Sequence, residues 1–78
     1  MADHKGWSAV DLAVLARNIR TRRDALGLTQ DQVADAADMQ PAVYSRIERG
    51  EVDPRLSSVV KIARALETTA SELLRGLE

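Results

Sequence analysis

Hydrophobic residues recur every three or four positions along this chain, which is the spacing of amphipathic α-helices rather than of strands. The first such stretch predicts a helix from Ser8 to Leu26, followed by Gly27 as the residue that ends it. The apolar stripe of this helix consists of Leu12, Leu15, Ile19 and Leu26. Arg23 falls on the same stripe, so it needs either a buried partner or a route for its guanidinium to solvent.

Two short helices are predicted between Thr29 and Gly50. Thr29 and Gln32 have the spacing of a capping box, which places the start of the first of them there. Asp38 tolerates the left-handed conformation that ends helices, and Pro41 suits the first turn of the next helix. The apolar residues assigned to the two helices are Val33, Ala34 and Ala37, then Val43, Tyr44 and Ile47. Helices joined by so short a turn must cross at a steep angle.

Two further helices complete the pattern and give an all-α chain, a compact five-helix bundle. The fourth is predicted from about Arg55 to Leu66, with a buried face of Leu56, Val59, Val60, Ala63 and Leu66. Thr69 and Glu72 form a second capping-box pattern, which opens a short last helix carrying Leu73, Leu74 and Leu77. So short a helix cannot turn all three leucines inward, so at least one should be available to a partner chain.

The outer face of the third predicted helix carries short polar and cationic side chains. They are Gln40, Ala42, Ser45, Arg46 and Arg49. A surface that enters a DNA major groove needs this character, because bulky apolar groups would block hydrogen bonds to base edges. An ordinary helical hairpin with a solvated face is the alternative, and helix spacing does not separate the two.

The stretch LTQDQVADAADMQPAVYSRIERG, followed by DPRLSSVVKIARALETTASELL, resembles the phage-repressor and Cro type of helix-turn-helix protein. The matching features are LTQ opening the second helix, SRIERG closing the third, and a following proline before an apolar helix. The resemblance covers about residues 19–74, with the motif at 30–49, and implies a lambda-repressor-like DNA-binding fold. Two usual glycines are replaced by Asp38 and Glu67, and a positive φ at Glu67 would cost about 1 kcal/mol.

The resemblance also implies roles for individual residues. Arg23 should pair with Glu48 and lock the first helix to the third; the alternative is that its guanidinium reaches solvent. The residues expected to contact bases are Gln40, Pro41, Ala42 and Arg46. The residues expected to contact phosphates are Thr29, Gln30, Ser45, Arg49 and Arg55.

Composition restricts the class of protein further. A chain of 78 residues with 45% hydrophobic residues forms one domain, here 1–78 with a flexible leader at 1–7. The net charge of −1 argues against a simple polycation that coats DNA, although arginines cluster in the predicted first helix and around the third. The start of the chain lacks an apolar signal segment, and no apolar run reaches membrane-spanning length, so we expect a cytoplasmic protein.

Few residues in this sequence could form a catalytic or metal site. His4 is the only histidine and lies in the predicted leader, which is a poor place to orient a catalytic base or a metal ligand. The four glycines are scattered rather than grouped in a phosphate-binding loop, and cysteine is absent. We therefore expect no enzyme, no metal and no cofactor.

These features predict a sequence-specific regulator of transcription that binds double-stranded DNA. One helix contacts too few base pairs to be specific in a genome, so a homodimer on a palindromic operator is expected. The predicted seam is the last helix, with Leu73, Leu74 and Leu77 as anchors; the alternative seam is the leader around Trp7. Trp7 itself should cover the edge of the core. The alternative function is a protein-interaction module, such as an antitoxin or adaptor, that keeps the helix-turn-helix as scaffold.

Overall fold

Five α-helices account for the regular structure in residues 6–77, the part of the chain that the computed structural model describes. They are α1 Ala9–Leu26, α2 Gln30–Ala36, α3 Pro41–Glu48, α4 Leu56–Ala65 and α5 Ala70–Leu73. α1 packs against α3 and α5, α2 packs against α3 and α4, and α4 packs against α5. The predicted all-α, five-helix fold is confirmed. The predicted leader, with His4, lies outside the described residues except for Gly6 and Trp7.

Side-chain caps set the starts of α1, α2 and α5. The capping box predicted at α5 is only half formed, because Thr69 Oγ1 accepts from the Glu72 N–H at 3.1 Å but Glu72 does not bond back to Thr69. Thr29 Oγ1 accepts a hydrogen bond from the Gln32 backbone N–H at 3.1 Å, and Gln32 Oε1 accepts from the Thr29 N–H at 2.8 Å. Ser8 and Asp11 form an equivalent box at the start of α1. Each box satisfies backbone donors that have no partner within the helix. Gly27 ends α1 in the left-handed conformation, with φ of 68°.

The core is aliphatic apart from one tyrosine. Its buried members are Leu15, Ile19, Val33, Ala34, Ala37, Tyr44, Ile47, Val59, Ile62, Ala63, Leu66 and Leu73. Trp7 packs against the edge of this core, and its indole Nε1 donates a hydrogen bond to the Pro54 carbonyl oxygen at 3.0 Å. The prediction that Trp7 covers the core edge is therefore confirmed. Its indole N–H is satisfied by the loop before α4, which ties the start of the chain to that loop.

Two residues predicted to be buried are exposed. Val43 is 48% exposed, because Tyr44 and Glu48 centre the buried side of α3 about a quarter turn away from it. Leu56 is 66% exposed, because the buried stripe of α4 includes Ile62 and is therefore rotated away from its first residue. Both assignments are wrong for the same reason. Apolar spacing alone locates the buried stripe of a helix only to within about one position. In α3 the buried stripe includes a polar residue, Glu48, and in α4 it includes Ile62, which the predicted stripe leaves out.

Three polar side chains of α1 hold the C-terminal ends of other helices. Arg20 Nη1 donates to the Glu48 carbonyl at 2.8 Å, and Arg22 Nε donates to the Leu66 carbonyl at the same distance. Asn18 Nδ2 donates to the Leu73 carbonyl, again at 2.8 Å. These carbonyls lie at helix ends, where the last turn leaves acceptors without intrahelical partners. Part of the arginine cluster of α1 therefore stabilises the fold. Arg20 and Arg22 do not serve only as the basic surface that the sequence suggests.

Within residues 6–77, two residues other than glycine occupy left-handed backbone: Asp38 with φ of 56° and Glu67 with φ of 58°. We expect Glu67→Gly to raise the free energy of unfolding by up to about 1 kcal/mol, because glycine removes the Cβ clash. Asp38→Gly should gain less, because aspartate adopts this conformation more readily. Urea denaturation of both variants, with Glu67→Ala as the control for loss of the side chain, measures the effect. A loss of stability in Glu67→Gly would contradict the assigned strain.

Candidate nucleic-acid interface

A buried ion pair joins α1 to α3. Arg23 Nε donates to Glu48 Oε2 at 2.8 Å, and Arg23 Nη2 donates to Glu48 Oε1 at 2.9 Å. The Glu48 side chain is 1% exposed and that of Arg23 is 18% exposed. The predicted pair is confirmed, and its two parallel hydrogen bonds fix the relative orientation of the helices.

Tyr44 and Gln30 complete a four-residue cluster around the Glu48 carboxylate. The Tyr44 hydroxyl donates to Glu48 Oε2, and Gln30 Nε2 donates to Glu48 Oε1 at 2.8 Å. Among residues 6–77, every buried side-chain nitrogen or oxygen has a hydrogen-bond partner. Since Gln30 opens α2, one carboxylate connects three helices and sets how α3 lies against α1 and α2.

The ionisation of the cluster follows from these contacts. Burial would by itself raise the pKa of Glu48, but hydrogen bonds from Arg23, Tyr44 and Gln30 together hold that pKa below its usual value. The hydrogen bond to Glu48 raises the pKa of Arg23. Burial and the hydrogen bond to Glu48 raise the pKa of Tyr44 above its usual range. The cluster is thus an ionised pair with a neutral phenol.

Opposite this anchored side, α3 presents a face to solvent. The residues predicted to contact bases are all exposed there: Gln40, Pro41, Ala42 and Arg46. Gln40 is the N-cap and Pro41 the first residue of α3, as the sequence predicts. Val43 joins this face at its edge and adds an apolar group next to Arg46. The face therefore offers one cation, one amide and three small apolar groups.

The five residues predicted to contact phosphates differ in how much of their hydrogen-bonding capacity is already used. Thr29 is exposed at the α2 N-cap, and the Gln30 amide is bonded to Glu48. Ser45 Oγ accepts from Arg49 Nη1 at 2.9 Å. Arg55 is exposed at the N-cap of α4. These residues come from the start of α2, the end of α3 and the start of α4.

The three leucines predicted at the dimer seam do not share one environment. Leu73 is 2% exposed and belongs to the core of the monomer, so its assignment as an anchor is corrected. It is buried because α4 and α1 both pack on α5. Leu74 and Leu77 are half-buried and keep surface for a partner. Near them, Gly76 packs on Val14, and a shallow concavity is lined by Ser8, Val10, Asp11 and Gly76.

The described residues contain neither a metal-binding cluster nor a membrane-spanning helix. Within residues 6–77, no three histidine, cysteine, aspartate or glutamate side chains converge as a metal site would require. No helix in that range is long and apolar enough to cross a bilayer.

The family comparison agrees with this geometry. The helix-turn-helix family model matches residues 19–73, which include the whole Arg23–Glu48 cluster and all of α3. The chain belongs to the helix-turn-helix family. The resemblance to phage-repressor proteins that the sequence motifs suggest is therefore confirmed.

Three proteins illustrate the similarity. The control protein C.SmaI of Serratia marcescens is 33% identical over 61 residues, which are 78% of this chain and 73% of that protein. The phage CTXphi transcriptional repressor RstR of Vibrio cholerae is 36% identical over 59 residues, 76% of this chain but only 53% of that protein. The crystal structure of the restriction-modification controller protein C.AhdI from Aeromonas hydrophila superposes with a TM-score of 0.79 and 30% identity, covering 82% of this chain and 97% of that one.

Sequence patterns missed three parts of this helix-turn-helix site. Tyr44 was assigned to the apolar face of α3 without its hydroxyl contact to Glu48, although a buried tyrosine usually needs a hydrogen-bond partner. Val43 was assigned to the core rather than to the outer face. Glu51 was not assigned at all, yet it pairs with Arg49 at 2.8 Å. The available signal for that pair was an acidic residue two positions after Arg49, just past the end of a helix that carries arginines.

Proposed function

We propose that this protein is a sequence-specific regulator of transcription that binds double-stranded DNA as a homodimer on a palindromic operator. The observation that carries the proposal is the contrast between the two sides of α3. One side is held by the buried carboxylate of Glu48, and the other exposes Gln40, Ala42, Val43 and Arg46. A rigidly held helix with a short-chained exposed side fits a major groove. The relatives named as a control protein, a repressor and a controller protein support a regulatory role, and we propose that the protein acts in the cytoplasm, where its DNA lies.

Direct contacts to bases come from the exposed side of α3. Arg46 has the guanidinium fork that pairs with guanine O6 and N7, and Gln40 has the amide that pairs with adenine N6 and N7. Pro41, Ala42 and Val43 offer apolar contacts, for example to a thymine methyl group. With only two strong hydrogen-bonding residues, each half-site gives modest discrimination, and DNA deformability adds to it.

Contacts to phosphates position the helix and come from its surroundings. The Thr29 hydroxyl already accepts from Gln32 but can still donate to a phosphate oxygen, and the Gln30 amide has a second hydrogen besides the one on Glu48. Arg55 at the start of α4 and Ser45 and Arg49 at the end of α3 supply the remaining contacts. Gln30 would thus connect the buried cluster directly to the DNA backbone.

Selection of bound fragments from random duplex DNA tests the function. Wild-type protein should enrich a sequence with twofold symmetry, whose half-sites are spaced about one helical turn apart, roughly 34 Å. A gel shift with the enriched duplex and a scrambled duplex of equal composition then gives the specificity ratio. Failure to enrich any sequence, with correctly folded protein, would contradict the proposal and favour the protein-interaction module.

The homodimer is assigned to the surface where α5 and the chain that follows it meet the start of α1. Leu74 and Leu77 keep exposed area there, and Val10 is 71% exposed beside the Gly76 turn. Exposed apolar side chains at one end of a small chain favour association with a like surface, because a twofold axis brings identical patches together.

We expect Leu77→Glu to shift the protein toward monomer, because a carboxylate would have to be desolvated in an apolar seam. Sedimentation at micromolar concentration, alone and with operator DNA, measures the change. Leu56→Glu is the matched control, since Leu56 is equally apolar and 66% exposed but lies at the start of α4. Wild-type protein that stays monomeric both free and on DNA would rule out the dimer.

A further inference from the structure

Arg49 and Glu51 form an exposed ion pair at the end of α3. Arg49 Nε donates to Glu51 Oε2 at 2.8 Å, and Arg49 Nη2 donates to Glu51 Oε1 at 3.2 Å. A third donor, Nη1, bonds to Ser45 Oγ at 2.9 Å. Gly50, with φ of 72°, turns the chain between them and brings the carboxylate back alongside the guanidinium. An added Cβ at Gly50 would lie 3.3 Å from the Leu12 carbonyl oxygen, so this turn also packs closely on α1.

The Glu51 carboxylate occupies the edge of Arg49 that a phosphate would use. Guanidinium groups bind carboxylates and phosphates alike through two parallel N–H donors, here Nε and Nη2. The two side chains are 54% and 49% exposed, so solvent and other anions can reach them. An ion pair of this exposure contributes little to folding stability, and its partners exchange readily.

Glu51 also influences Arg46, the predicted base-contacting cation. The hydrogen bond from Arg49 and the positive charges of Arg49 and Arg46 hold the pKa of Glu51 below its usual value. The carboxylate is therefore ionised near neutral pH, within the field of both arginines of the α3 exposed side. Part of the positive potential that would attract DNA is cancelled within the protein itself.

We propose that Glu51 is an internal competitor of DNA phosphate for Arg49, and that it limits the affinity of the protein for duplexes of any sequence. The proposal rests on the function proposed above and adds a determinant of affinity to the same surface. In the free protein Arg49 is held by Glu51. Binding a phosphate through Arg49 requires the carboxylate to be released into solvent, and this opposes the phosphate contact.

The clearest consequence concerns affinity and salt. Glu51→Gln keeps the shape of the side chain but removes its charge, so Arg49 becomes available to a phosphate without prior separation of an ion pair. We expect roughly three- to fivefold tighter binding of random-sequence duplex per subunit, the scale of one exposed ion pair. The slope of log affinity against log salt concentration should also steepen, by up to about one unit per subunit, because in the wild type the released Glu51 carboxylate keeps its negative charge beside the DNA and offsets the neutralisation by Arg49.

Fluorescence anisotropy with a labelled random-sequence duplex, over a series of sodium chloride concentrations, measures both quantities. The matched control is Glu72→Gln, which removes the same charge and breaks the exposed pair, 3.4 Å long, between Glu72 of α5 and Arg75 just after that helix. It should leave affinity and slope unchanged. Equal tightening in Glu72→Gln would show that only net charge matters and would overturn the proposal. Circular dichroism verifies that the variants keep their helicity.

A second pair of variants tests whether Glu51 acts through Arg49. Glu51→Gln should tighten binding of random duplex clearly less in the Arg49→Ala background than in the wild type, because no guanidinium remains to be released and only the field at Arg46 changes. Tightening of undiminished size in the double variant would overturn the proposal. So would weaker binding by Glu51→Gln alone, since that result would mean that the carboxylate orients Arg49 toward DNA.

Failure of this inference is distinguishable from failure of the proposed function. If wild-type protein enriches an operator but Glu51→Gln matches it in affinity and salt slope, only the role of Glu51 is rejected. If neither wild-type protein nor Glu51→Gln binds any duplex, the DNA-binding function is rejected, and the role of Glu51 falls with it.

Discussion

Glu48→Ala will lower the free energy of unfolding by about 3–5 kcal/mol, the cost of leaving a buried charge without its partner. The variant strips Arg23 of two hydrogen bonds and leaves the Tyr44 hydroxyl and the Gln30 amide without their acceptor. Arg23→Ala should cost a similar amount, since it leaves the carboxylate buried and uncompensated. Urea denaturation followed by circular dichroism measures both losses.

Simultaneous apolar replacement provides the control. Arg23→Met with Glu48→Leu should cost clearly less than the sum of the two single losses, because neither charge then remains buried. Adding Tyr44→Phe should recover more, since it removes a hydroxyl that would otherwise lack an acceptor. Strictly additive losses would show that the two charged side chains do not stabilise each other.

The same cluster makes stability depend on pH. The folded-state pKa of Glu48 lies below its value in the unfolded chain, so its contribution is fully present above the unfolded-state pKa and is lost as pH falls through the folded-state pKa. The stability difference between wild type and Glu48→Gln should therefore be largest near neutral pH and shrink as the solution becomes acidic. A difference that stays constant into the acid range would mean that the carboxylate charge is not what the cluster stabilises.

Arg46→Ala will weaken binding to the selected operator by about 1–3 kcal/mol per half-site and relax the preference at one base pair. The reason is that a bidentate guanidinium–guanine contact discriminates between bases, whereas a phosphate contact does not. Competition binding against operators that vary at each position measures the change.

Arg55→Ala is the comparison for this prediction. Arg55 lies at the N-cap of α4 and is expected to contact a phosphate, so its loss should weaken all sequences alike. The salt slope should flatten by about one unit for the lost phosphate contact. If Arg46→Ala instead lowers affinity equally for every sequence, Arg46 contacts only the DNA backbone.

The exposed side of α3 shows how rigidity and function are connected in this fold. Arg46 and Glu48 are two residues apart on the same short helix, one exposed and the other buried. Because Glu48 is bonded to α1 through Arg23 and to α2 through Gln30, α3 cannot rotate without breaking several hydrogen bonds. A variant of the cluster that still folds should therefore lose operator discrimination as well as stability, because base contacts depend on orientation.

Helix starts and most helix ends follow from local sequence. The capping boxes at Ser8 and Thr29, the left-handed turn at Gly27 and the break at Asp38 each depend on residues within a few positions of one another. Such interactions operate in any tertiary context, so their sequence signals are reliable. The Arg23–Glu48 pair was also predicted, but from a resemblance to a known family rather than from spacing, because its partners are 25 residues apart.

Tertiary structure alone decided which sides of the helices are buried and which long-range partners polar groups find. Val43 and Leu56 are exposed and Leu73 is buried because neighbouring helices, not hydrophobicity, determine the angular position of each buried stripe. Asn18, across a separation of 55 residues, supplies a cap that no local pattern reveals. Sequence by itself determined where the helices begin and where most of them end, since those energies are local; the exception is α5, which ends at Leu73 although the predicted helix carries Leu77. Packing determined the direction in which each helix faces, since burial is shared among elements distant along the chain.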